Sequence, residues 1–274
     1  MAVTMADISR LRKMSGAGMM DCKNALEEAG NDFDKAMEII RKKGQAVAAK
    51  RSDREASEGC VLAADNGGFA AAVALKCETD FVAKNEEFIG LTKSILDVAM
   101  DKKPATLADL LASPLSDGRA IGEHITDRIG VTGEKMELGF FEFVSGPATV
   151  SYIHPGNKLA TIVAFNQALD KQVARDVAMQ VAAMNPVALV PEEVPQSVID
   201  TEMEIARDKA RQAGKPENLI DRIAEGALQK FFKEGTLLQQ EFVKDSKLTI
   251  QQYLQQQDKA LTATAFKRVT LNLE

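Results

Sequence analysis

Over residues 5–44, apolar side chains recur three and four positions apart in three short runs, the spacing that gathers them on one face of a helix. Ile8, Leu11 and Met14 mark the first run, Met19, Cys22, Leu26 and Ala29 the second, and Phe33, Ala36, Met37 and Ile40 the third. A three-helix bundle is expected. Residues 16–18 and the pair Gly30 and Asn31 supply its turns, Asp32 is placed to cap the third helix, and Gly44 to end it in the left-handed conformation. Residues 42–58 are mostly Ala, Lys, Arg, Ser, Glu and Asp, which reads as a linker or a solvated helix with little to anchor it, so a domain boundary is expected there.

From Gly59 the period shortens to two. Residues 60–64, a turn at Asp65, Asn66, Gly67 and Gly68, and residues 69–77 form a hairpin signature. A helix over about 86–100 follows, with Phe88, Leu91, Ile95 and Ala99 on one face, then weaker helices over 106–112 and 117–129 and a strand over 136–144. The same order recurs in strands over 148–153 and 159–165, a turn at Pro155 and Gly156, and a helix carrying Val173, Val177, Val181 and Met184. This is an internal duplication, in which Ala72, Val73, Ala74 and Leu75 correspond to Ile162, Val163, Ala164 and Phe165. The connection to the helix is longer in the first copy, and its surplus contains Thr79, Asp80 and Phe81. A loop added to one copy of a shared scaffold is the first place to look for binding residues.

Pro191 and Pro195 then punctuate the approach to two helices, over 196–213 and 217–233, joined at Gly214, Lys215 and Pro216. Their expected seam sets Val198, Ile199, Met203, Ala206 and Ala210 against Leu219, Ile220, Ile223, Ala227 and Leu228. A helix near 250–257 and a strand over 265–273, joining the second sheet, complete the pattern. The fold class is therefore α+β. A three-helix domain with its linker occupies 1–53, and a core N-subdomain 54–139. A core C-subdomain spans 140–186 and returns over 235–274, with a helical hairpin arm inserted at 187–234.

Composition narrows the function. The 274 residues are 45% hydrophobic and 27% charged, with no apolar run of the length a membrane span needs. Residues 1–11 carry no secretory pattern, so a cytoplasmic location and no membrane partner are expected. A net charge of -6 argues against a nucleic-acid backbone as partner and favours a protein. Cys22, Cys60 and Cys77 are odd in number and scattered, as reduced thiols are; with only His124 and His154 and no Cys-x-x-Cys pair, no metal and no cofactor are expected. No glycine pair makes a phosphate-binding loop, and Gly16 and Gly18 lie between helices instead of after a strand. His124 falls in a helix, His154 at a hairpin tip, and the pairs Glu86 and Glu87, Glu192 and Glu193 read as solvated helix starts. A binding protein is expected, not an enzyme.

Residues 11–26, Leu-Arg-Lys-Met-Ser-Gly-Ala-Gly-Met-Met-Asp-Cys-Lys-Asn-Ala-Leu, closely resemble the N-terminal signature of the elongation factor Ts family. Thr79, Asp80, Phe81, Val82, Ala83 and Lys84 match that family's second signature, and the turn from Tyr152 to Gly156, the duplicated core and the arm fit it along nearly the whole chain. The resemblance implies a guanine-nucleotide exchange factor for the GTPase elongation factor Tu, with a bundle like a ubiquitin-associated (UBA) domain and a two-subdomain core. It also implies that Asp80 and Phe81, flanked by Thr79 and Val82, act at the GTPase's magnesium site. Arg12, Met19, Met20 and Lys23 would grip its nucleotide-binding domain, and His154 another domain, in a homodimer or a 2:2 complex.

The sequence departs from the family in several places. Lys76 stands where Asn is usual; Asn157, Lys158, Leu159 and Ala160 replace Gly-Arg-Ile-Gly; Gly133, Glu134 and Lys135 loosely resemble Gly-Glu-Asn. Residues 273 and 274 come where some members continue into a further helix, so contacts through such a helix are not expected. Taken apart from the resemblance, Phe81 reads as a loop aromatic covering its own core, and its neighbours Glu78, Asp80 and Lys84 favour a presented anchor instead. The bundle alone would also suit a ubiquitin-like or nascent-chain binding adaptor.

Overall fold

The computed structural model describes residues 2–272. Helices α1 (Met5–Ser15), α2 (Met19–Glu28) and α3 (Phe33–Arg51) form the expected bundle. Thr4 and Asp7 close a capping box on α1, and Asp32 accepts from the amides of Asp34 and Lys35 at the start of α3. Ile8, Leu11, Ala17, Cys22, Ala25, Leu26 and Ala36 make its core. Met14 was expected among them and is exposed instead. The buried face of α1 runs from Leu11 to Ser15 one turn on, where the Ser15 hydroxyl donates back to the Leu11 carbonyl at 2.8 Å. Met19, placed in the second run, is likewise exposed, on the first turn of α2.

Gly44 does not end α3. The helix runs through it to Arg51, and Gly44 is buried in the crossing with α7 (Ile121–Thr132). A Cβ on Gly130 would come within 2.6 Å of the Gly44 Cα, so here two helix backbones touch where both side chains are absent. Val47 and Ala48, one turn further on, pack against the core. The expected linker is therefore, up to Arg51, an anchored helix.

Strands β1 (Glu58–Asp65) and β2 (Phe69–Cys77) form the first hairpin, followed by α4 (Asp80–Ala83), α5 (Glu86–Lys102), α6 (Leu107–Ala112), α7 and β3 (Met136–Ser145). The antiparallel order is β1-β2-β3. A second hairpin and helix follow, β4 (Ala148–Ile153), β5 (Leu159–Phe165) and α8 (Lys171–Met184), and their sheet is completed by β8 (Ala263–Thr270) in the order β4-β5-β8. The strand expected to run to Leu273 is seen to Thr270; Leu273 lies outside the described residues.

The two sheets pack face to face. Val61, Ala63, Ala70, Ala72, Ala74 and Val144 meet Ala160, Ile162, Ala164 and Val269 across the interface. Small side chains let the sheets approach closely. The other face of β2, with Val73, Leu75 and Cys77, lies under Phe88, Ile95 and Ala99 of α5, while Val163 and Phe165 of β5 lie under Val177, Ala178 and Val181 of α8. β2 and β5 are thus covered on both sides, which is why apolar residues fill both strands without alternation. The result is an α+β architecture of small antiparallel sheets between helices.

The arm is an antiparallel pair, α9 (Gln196–Gln212) and α10 (Glu217–Gly235). Its buried seam is made by Ala206, Ala210, Ile220 and Ala224; Leu219, Ile223 and Ala227, expected in it, are exposed, and Ala224, which was not expected there, takes the inward position. A small hairpin, β6 (Glu241–Phe242) and β7 (Asp245–Thr249), not foreseen from the pattern, leads into α11 (Ile250–Gln255). It rests on buried polar groups of α8: Gln180 Nε2 donates to the Glu241 carbonyl at 3.1 Å, and Lys244 and Tyr253 reach Asp176 at 2.7 and 2.9 Å. Among the described residues, no helix is long and apolar enough to cross a membrane.

Candidate functional site

The segment that carries Thr79, Asp80 and Phe81 leaves β2 at Cys77, opposite Met136 of β3. One residue further, the Lys135 amide donates to Glu78 Oε1 at 2.6 Å, and Arg51 of α3 pairs with the same carboxylate at 3.3 Å. Next, the Thr79 amide donates to Glu134 Oε2 at 3.1 Å and the Thr79 hydroxyl to Glu134 Oε1 at 2.6 Å. The Thr79 oxygen in turn accepts from the Val82 amide and caps α4, the single turn that carries Asp80 and Phe81. From below, the Cys77 thiol lies 3.2 Å from the Thr79 carbonyl as a donor. Burial, with the charge of Glu134 adding to it, pushes this thiol up to about 12, so it stays protonated at neutral pH.

What this frame holds out is Phe81, 84% exposed, more than any other large apolar side chain among the described residues. Covering its own core is excluded. Val82 and Ala83 face inward and fasten the turn to the first core. Asp80 pairs with Lys84 at 2.6 Å; that hydrogen bond holds its carboxyl below the usual range, with a smaller contribution from the Lys158 charge.

Lys158 belongs to the turn between β4 and β5, so the two sheets meet here. It pairs with Glu58 at 2.8 Å, and the neighbouring Asn157 carbonyl accepts from the Val61 amide at 2.7 Å. The turn is thereby docked along β1. His154, on the same turn, is exposed, with Nδ1 3.0 Å from the Tyr152 hydroxyl. His124 lies apart, 3.0 Å from Asp117.

The bundle residues form a separate group. Arg12 lies in the last turn of α1, Met19 and Met20 open α2, and Lys23 pairs loosely with Glu27 one turn on, at 3.7 Å. All four are exposed, Met20 at 63%. The bundle is joined to the Phe81 segment by α3, whose last residue is the Arg51 that pairs with Glu78. Glu78, Glu134 and Lys158 were not singled out as site residues from the sequence. Only the pairing of β2 with β3, distant along the chain, brings Glu134 opposite Thr79.

A family model described as Elongation factor TS matches residues 78–272, beginning one residue before the Thr79 turn. The chain belongs to the elongation factor Ts family. An Elongation factor Ts from Porphyromonas gingivalis is 73% identical over 274 residues, spanning 100% of both chains, so the similarity includes the bundle that lies outside the family model. One from Azobacteroides pseudotrichonymphae is 56% identical over 275 aligned positions, and one from Phocaeicola vulgatus 46% identical over 331, each again covering 100% of both chains. Membership in the elongation factor Ts family makes the chain a nucleotide-exchange factor of translation elongation, with elongation factor Tu as its partner.

Proposed function

We propose that this chain speeds GDP release from elongation factor Tu by pressing Phe81, carried on the Thr79–Asp80–Phe81–Val82 turn, between helices of the GTPase beside its magnesium site. The observation that carries this reading is the large ring held in solvent on a turn fixed from three sides. An exposed aromatic on a rigid support loses little conformational entropy when a partner covers it, the property of an interface anchor.

Magnitudes limit what the ring does alone. Burying one Phe is worth about 1.5–3 kcal/mol, whereas a nucleotide bound at nanomolar affinity is held by about 12 kcal/mol. Other contacts must share the work. We assign them to Arg12, Met19, Met20 and Lys23 on the nucleotide-binding domain, and to His154 on another domain of the same GTPase. Because the His154 turn is docked on β1, the contacts made by the two copies shift together and act as one lever. In this reading the N-terminal helices form a UBA-like domain, the arm serves dimer or 2:2 assembly, and the complex forms in the cytoplasm without nucleic acid, lipid or turnover chemistry.

The exposed Met14, Met19 and Met20 also suit an adaptor for ubiquitin-like or nascent chains, since methionine adapts to varied apolar partners. Capture on the immobilised chain separates the two. Linkage requires that nucleotide weaken the complex by the factor by which the complex weakens nucleotide. Elongation factor Tu should therefore be retained without nucleotide and released by GDP. Retention indifferent to GDP, or capture of ubiquitin-like proteins alone, contradicts the exchange reading.

A further inference from the structure

We infer that Glu134 is a positioning residue of the exchange site, whose carboxylate fixes the turn that presents Asp80 and Phe81. The inference rests on the function proposed above and assigns a task to a residue outside the Thr79–Lys84 signature.

The β2–β3 ladder ends at Cys77 opposite Met136. Continuing that register sets Glu78 opposite Lys135 and Thr79 opposite Glu134. At both extra positions a side chain replaces the backbone acceptor: Glu78 takes the Lys135 amide, and Glu134 takes the Thr79 amide and hydroxyl together. Hydrogen bonds to a carboxylate are stronger than those between neutral groups, and two to one residue fix its orientation as well as its place. Among the described residues Glu134 forms no ion pair, so both oxygens are committed to Thr79. Its own backbone is set by the end of α7, where Gly133 closes the helix at φ 72° and the Glu134 amide donates to Thr132 Oγ1 at 3.2 Å.

Folding does not need this grip. Val82 and Ala83 already tie α4 to the core, and Asn85 caps α5 by accepting from the amides of Glu87 and Phe88. What the carboxylate adds is the direction in which residues 79–81 leave the sheet, and so the direction of the Phe81 ring. A mispointed ring would leave binding through the bundle and the His154 turn intact and lower the rate reached once bound.

The test combines amide exchange on the free chain with GDP release from elongation factor Tu, for the parent, Glu134→Ala, Glu134→Gln and Phe81→Ala. For Glu134→Ala we expect the amides of Thr79 and Val82, the first bonded to Glu134 and the second to the Thr79 oxygen that Glu134 orients, to exchange at least tenfold faster, with those of β2 unchanged. The maximal release rate should fall at least fivefold, and the half-saturating concentration should shift less than threefold. Glu134→Gln, which can accept the amide and donate to the hydroxyl, should return the rate to within threefold of the parent. A slow Phe81→Ala beside a normal Glu134→Ala overturns the inference alone, as does an unchanged Thr79 amide. A normal Phe81→Ala overturns the proposed function and the inference with it.

Discussion

Replacing Phe81 by Ala should slow stimulated GDP release about ten- to hundredfold while shifting the melting temperature by less than about 2 °C. The rate loss follows from the 1.5–3 kcal/mol that covering one Phe supplies, delivered here only when the partner closes over the ring. The unchanged stability follows from the same exposure, since a side chain 84% in solvent packs against little of its own core. The Thr79 cap, the Glu134 bonds and the inward Val82 and Ala83 all remain, so α4 keeps its place. Stopped-flow release of labelled GDP and a thermal scan on one preparation check both halves. A fall in melting temperature of more than about 5 °C would make Phe81 a structural residue instead.

The second large effect concerns how the bundle is held. At the crossing of α3 and α7 the two glycines are not equivalent: a Cβ on Gly130 meets the Gly44 Cα at 2.6 Å, whereas a Cβ on Gly44 finds its nearest neighbours at an ordinary 3.5 Å. Gly130→Val should force the helices apart at a cost of about 3 kcal/mol, roughly a hundredfold in the docking equilibrium. Gly44→Ala should be tolerated or gain up to about 1 kcal/mol from helix propensity. Because Val47, Ala48 and Arg51 lie just beyond the crossing, undocking would appear as fast amide exchange over residues 45–51, with the sheets still protected. Equal behaviour of the two variants would mean that the crossing does not hold α3.

A glycine closing a helix and a glycine at a helix crossing look alike in sequence; Gly44 is told apart only by Gly130, in another helix far along the chain. The longer helices and the two strand hairpins were legible because each carries its own period. The double burial of β2 and β5 was less so, because strands covered on both faces lose their alternation. In the arm, adjacent apolar positions left the seam ambiguous, and Leu219 and Ile223 turned outward in favour of Ala224. Phe81 was legible as an anchor from its polar neighbours. Glu134 was not, because its role depends on a strand pairing that closes over α5, α6 and α7.

Exchange activity is read most directly from the rate at which labelled GDP leaves elongation factor Tu as the chain is titrated in. That rate should rise with the chain's concentration to a plateau at least tenfold above spontaneous release. A rate that stays at the spontaneous value over the whole titration, with the chain folded, would contradict the exchange role.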